Sequence, residues 1–148
     1  MIGKMFNDIR KDVPRTVYAD WQDGEFRCRV MRGPTSLCAY IGVQPDSIFY
    51  GIEYNDIPLQ CHGGLTFAAI GSDVSNAWPA GYWWIGWDYS HSGDKSIYEM
   101  VYVFTDGEHG WTPDEVVAEF SDVLANLRHI KRVERVAYEF VMDEEPIS

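Results

Sequence analysis

The chain has 148 residues, of which 46% are apolar and 15% aromatic, with a formal net charge of −11. That length and apolar content suit one domain with a buried core and exclude a disordered tail. The negative charge disfavours nucleic acid polymers and anionic membranes as partners, because both repel it over long range.

Residues 1–15 are polar and end near Pro14, so a loose arm or short helix is expected there, with an α+β core over 16–148 as one domain. Thr16 to Trp21 and Glu25 to Met31 carry strand-forming residues around Gln22-Asp23-Gly24, a hairpin turn in which glycine supplies positive φ. Gly33-Pro34 stops the second strand, Ser36 to Val43 forms a third, and Pro45 punctuates it. Leu65 to Ile70, Tyr82 to Trp87 and Ile97 to Phe104 also predict strands.

A long helix begins after Trp111. Thr112, Pro113 and Glu115 make a capping box with proline at the first helical position. Val116, Phe120, Val123, Leu124, Leu127 and Ile130 then recur at helical spacing. Arg128, His129, Lys131 and Arg132 suit a helix C-terminus, and Val133 to Met142 reads as a closing strand. The expected fold is an antiparallel β-sheet with one long α-helix on a face.

The three cysteines, Cys28, Cys38 and Cys61, form no CxxC pair, which excludes a zinc ribbon and fits a reducing compartment. No apolar run reaches the roughly 20 residues that span a bilayer, and the first residues do not read as a secretory signal. A cytoplasmic location is expected.

The segment from His62 to Asp94 differs from ordinary core. His91 stands three residues from both Asp88 and Asp94, and an imidazole oriented by a carboxylate is suited to proton transfer near neutral pH. Gly63-Gly64 lets backbone N–H groups approach an oxyanion. Trp83, Trp84 and Tyr89 offer rings for stacking on a base, and Thr66 and Lys95 offer polar contacts. His62, His91, Asp88 and Asp94 are therefore the candidate catalytic residues, and Gly63, Gly64, Thr66, Trp83, Trp84, Tyr89 and Lys95 the candidate ligand contacts. His109 reads as a surface residue and His129 as a helix-end cation. Taken singly, each has a plainer reading as turn, cap or core; taken together, the histidines and aspartates favour a site. Their spacing matches no metal signature, and neither metal nor cofactor is expected.

The segments Cys28-Arg29-Val30, Cys38 to Val43, Tyr50-Gly51, His62-Gly63-Gly64-Leu65-Thr66-Phe67 and Trp83 to Asp94 resemble a small protein family common in phages and prophages. The likeness covers roughly residues 25–127. Ser47-Ile48 replaces a His-Pro pair usual in that family, and Tyr89 replaces a common cysteine, which argues against thiol chemistry there. The loop from Asp94 to Trp111 looks longer than in that family. The resemblance implies a phage origin, and by analogy with unrelated small acidic phage proteins the chain is expected to counter host defence in the bacterial cytoplasm. Its expected ligand is a small cyclic nucleotide signal, cut without a metal by His62 and His91. The alternatives are a sponge that holds the nucleotide intact, with Arg29, Arg32 or Arg128 gripping phosphates at the subunit boundary of a homo-oligomer, and a structural or inhibitor protein with no ligand.

Overall fold

The structure is a computed structural model and describes residues 16–72, 78–90 and 109–144, without the side chains of residues 135, 136 and 138–144. Five strands, β1 (Val17–Asp23), β2 (Phe26–Arg32), β3 (Leu37–Val43), β4 (Phe67–Ile70) and β5 (Trp83–Asp88), precede a 32-residue helix, α1 (Pro113–Glu144). The strands form one antiparallel sheet in the order β1-β2-β3-β5-β4. The expected sheet with a long helix on one face is what the chain adopts.

Side-chain alternation divides the sheet into two faces. Phe26, Cys28 and Val30 of β2, Ala39, Ile41 and Val43 of β3, and Ile85 and Trp87 of β5 face Val116, Phe120, Val123, Leu124 and Leu127 of α1. The opposite face gathers Met31, Cys38, Tyr40 and Trp84, against which Phe67, Trp78 and Tyr82 pack. There each aromatic lies across from a glycine: Tyr40 pairs with Gly86 and Trp84 with Gly42. A Cβ on Gly86 would meet the Tyr40 ring at 2.5 Å, and one on Gly42 the Trp84 ring at 2.9 Å. Only glycine lets these rings lie flat across the sheet.

β3 and β4 both run antiparallel to β5, so they are parallel to each other and cannot be joined by a hairpin. The chain after Val43 must travel the length of the sheet before β4 begins. It does so on the helix side, where Phe49, Ile57 and Leu59 are buried in the main core and Gln60 N–H bonds to Asn126 Oδ1 at 3.0 Å. This crossover carries His62 to the end of the sheet where β5 stops and α1 starts.

Two expectations need correction. Val133 to Met142 is helix, not a closing strand. Val133, Val136, Ala137, Phe140 and Val141 stand at helical spacing, and no glycine or proline interrupts the chain between Pro113 and Pro146. It follows that Arg128, His129, Lys131 and Arg132 lie in mid-helix. Arg128 instead ties α1 to the β1–β2 turn, donating to the Asp23 carboxylate at 2.8 Å and its carbonyl at 3.1 Å. That turn is the hairpin expected at Gly24, whose φ is +58°. The proposed strand Ile97 to Phe104 lies outside the described residues. Among those residues no helix is long and apolar enough to cross a membrane.

Candidate functional site

The capping box forms as the sequence indicates. Glu115 N–H donates to Thr112 Oγ1 at 3.3 Å, and the Glu115 carboxylate accepts from Thr112 N–H at 3.2 Å and its hydroxyl at 3.1 Å. This fixes the start of α1 beside the end of β5, and a ring cluster assembles in the angle between them.

Tyr89 is its base. The ring is 1% exposed and lies parallel to the His62 imidazole, centroids 4.5 Å apart. Trp111 packs on both, 4.7 Å from Tyr89 and edge-on to His62 at 5.0 Å. His109 meets the same indole edge-on at 4.5 Å, and its Nε2 lies 2.7 Å from the Glu115 carboxylate. Beneath the stack, Tyr89 Oη donates to Glu119 Oε2 at 2.5 Å and accepts from Trp87 Nε1 at 3.1 Å. Burial, with the Glu119 hydrogen bond second, raises the Tyr89 hydroxyl far above its ordinary range, so it remains a donor. Cys61 adjoins this network, and burial followed by the Glu119 charge pushes its thiol up to about 11.

Of the candidate catalytic residues, His62 is brought into this ring cluster. Asp88 lies at the same end of β5, but alternation turns it to the face opposite Tyr89. There it accepts from Thr66 Oγ1 at 3.0 Å and from Ser90 N–H at 3.1 Å. Gly63 and Gly64 have φ of +68° and +82° and form the turn beside His62. Gly64 N–H is bonded to Cys61 O at 3.0 Å, so that donor serves the turn and not an oxyanion.

The two tryptophans at the other end of β5 do not join the cluster. Trp84 is 0% exposed, on the face away from the helix, so its ring cannot stack on a ligand. Trp83 shares the Tyr89 face but stands six residues away, about 20 Å along the strand. It bonds to Ile52 O at 3.0 Å and tilts against Tyr50. Of the arginines considered as phosphate ligands, Arg29 pairs with Asp20 at 3.1 Å and Arg128 with Asp23 at 2.8 Å; Arg32 is exposed at the end of β2. His91, Asp94 and Lys95 lie outside the described residues.

The sequence reading missed His109, Trp111, Glu115 and Glu119 as site members. His109 is exposed as expected, yet joins the cluster through Trp111. No local motif signals this, because the four residues meet His62 only through the crossover and the helix start. Among the described residues no group of three His, Cys, Asp or Glu side chains could hold a metal ion. Comparison with family models, curated proteins and solved structures gave no match in any of the three.

Proposed function

We propose that the chain is a metal-independent acid–base catalyst acting on a small nucleotide at the His62–Trp111–His109 cluster. One observation carries the reading: two imidazoles touch one indole, and a carboxylate lies 2.7 Å from one of them. Glu115 holds the His109 ring through Nε2 and so fixes which nitrogen faces outward. One imidazole takes a proton from the attacking hydroxyl or water; the other delivers one to the leaving oxygen of a phosphodiester. Each transfer contributes about 10²–10⁴ in rate.

Trp111 is partly buried and presents an edge and face for a base, a contact worth about 1–3 kcal/mol. The nearby carboxylates of Glu115 and Glu119 favour a ligand with few negative charges, as in a cyclic nucleotide, over a polyphosphate. The resemblance to phage proteins supplies the setting: a counter-defence protein removing a nucleotide immune signal in the host bacterial cytoplasm.

Incubation with cyclic mono-, di- and trinucleotides and cyclic ADP-ribose isomers, with products identified by mass spectrometry, tests the proposal. His62→Ala and His109→Ala should each lower kcat by about 10²–10⁴, while Trp111→Ala should chiefly raise KM. His91→Ala in the same assay decides whether His91 or His109 partners His62. Full turnover in the His62→Ala/His109→Ala double variant refutes the assignment. A binding-only role would use the same partly buried Trp111 ring, since stacking on it needs no proton transfer. It requires recovery of intact ligand after heat denaturation.

A further inference from the structure

The ring cluster draws on three separate segments. His62 lies late in the crossover, Tyr89 follows β5, and His109 and Trp111 lead into α1. The two imidazoles therefore reach Trp111 from different parts of the chain. Their mutual placement depends on how the start of α1 sits against the end of β5. Apolar burial at Val116 and Phe120 presses the helix onto the sheet, but hydrophobic attraction has no direction. A hydrogen bond does, and it weakens steeply when misaligned.

Glu119 supplies that direction. Its carboxylate accepts from the Tyr89 hydroxyl at 2.5 Å, and the same hydroxyl accepts from Trp87 Nε1 at 3.1 Å, so one oxygen joins α1 to β5. Burial keeps the proton on Tyr89, which makes it a permanent donor. The Tyr89 ring is in turn the surface on which His62 lies, 4.5 Å away and within 14° of parallel. Glu115 stands four residues before Glu119, on the same side of the helix and about 6 Å back along its axis. Its carboxylate lies 2.7 Å from His109 Nε2. One stretch of helix thus carries both supports: Glu115 meets His109 directly, and Glu119 meets His62 by way of Tyr89. A slide or rotation of α1 would carry His109 with it and leave His62 behind on the sheet side. The bond from Tyr89 to Glu119 opposes that motion.

We propose that Glu119 is a positioning residue that holds His62 in register with His109. The assignment rests on the reading of this cluster as an acid–base site. Glu119 acts through Tyr89 and exchanges no proton with the ligand. A displacement of about 1 Å between reacting groups costs about 10²-fold in rate, so a directional tie at this point has a kinetic consequence.

Two variants separate the acceptor from the side chain's bulk. Glu119→Leu removes the acceptor and keeps a good helix former, whereas Glu119→Gln keeps an acceptor. The first readout needs no substrate. In NMR spectra of the full chain, the Tyr89 and Trp111 ring currents displace the His62 ring-proton signals, and cross-relaxation links the His62 and Tyr89 rings. Both features should persist in Glu119→Gln and be lost or averaged in Glu119→Leu. The second readout is turnover of whichever cyclic nucleotide the native chain cleaves. Glu119→Leu should lower kcat about 10- to 100-fold with KM nearly unchanged, and Glu119→Gln should restore most of it. Tyr89→Phe cuts the same bond from the other side, so its kcat should fall likewise, and adding Glu119→Leu should lower it no further. Tyr89→Phe also carries both readouts if Glu119→Leu does not fold. Unmoved His62 signals, or native kcat, in a folded Glu119→Leu protein would overturn the assignment. A native chain that cleaves no nucleotide would sink the acid–base reading alone; the NMR comparison would then uphold or overturn the seat of His62 by itself.

Discussion

Replacing Tyr89 by Phe removes a single oxygen from the centre of the ring cluster. That oxygen donates to Glu119 at 2.5 Å and accepts from Trp87 Nε1 at 3.1 Å. Phenylalanine keeps the ring on which His62 stacks, so transfer free energy and packing change little. The loss falls on the two former partners, and they are not equivalent. Glu119 is only partly buried and can recruit water. Trp87 is 1% exposed, and its indole N–H would be left without an acceptor in the core. A buried donor without a partner costs about 1–3 kcal/mol. For a chain of this size each kcal/mol lowers Tm by about 2–4 °C, so Tyr89→Phe should melt between about 2 and 12 °C lower. Urea titration should show a reduced midpoint with an unchanged slope. Glu119→Gln should cost less than Tyr89→Phe, since the amide can still accept from the hydroxyl. The two changes together should cost less than their sum, because they share one hydrogen bond. A Tyr89→Phe protein within about 0.5 kcal/mol of the native one, the range expected of an ordinary surface change, would refute the buried network.

Two further outcomes follow from shifted ionisations. The Cys61 thiol, raised to about 11 mainly by burial, should alkylate slowly at neutral pH and accelerate only as pH approaches that value. Glu119→Gln should move the midpoint of its alkylation profile downward by removing the adjacent charge, and an unmoved midpoint would separate the two groups. Asp20 accepts from Arg27 and Arg29, and the Arg27 hydrogen bond is the largest of the effects that hold its carboxyl below its ordinary value. A carboxyl depressed on folding contributes stability that is fully present above its unfolded pKa and is lost as pH falls through the lower folded one. Arg27→Met should therefore raise the Asp20 midpoint seen by NMR titration and flatten the loss of stability below about pH 4; an unchanged midpoint would show the pair to be ineffective.

The crossover is the feature that most affects how the site is understood. Had β3 and β4 been adjacent hairpin strands, His62 would fall at a short turn remote from the helix. The order β3-β5-β4 obliges the intervening chain to climb the helix side of the sheet, and the turn at Gly63-Gly64 sets the imidazole on Tyr89.

Strands and helix start were legible because their signals are local. The alternating residues from Phe26 to Arg32, the continuous apolar run from Leu37 to Val43, the glycine at the β1–β2 turn and the Thr112–Glu115 box each act within a few residues. The far end of α1 was misjudged because Val133 to Met142 is rich in β-branched and aromatic residues, whose strand preference is weak against an uninterrupted helical register. His62 and Tyr89 were legible as candidates, but their stacking was not, since 27 positions separate them. Trp83, Trp84 and Tyr89 looked alike in sequence. The pleat sends Trp84 to the opposite face, the strand's length takes Trp83 to the far end, and Tyr89 alone of the three remains in the cluster. The sequence by itself determined the elements and their apolar faces, through short-range periodicity and turn chemistry. Which histidines share a tryptophan, and which carboxylate stands beside them, was decided by strand order and helix placement, because burial chooses among distant segments that no local pattern connects.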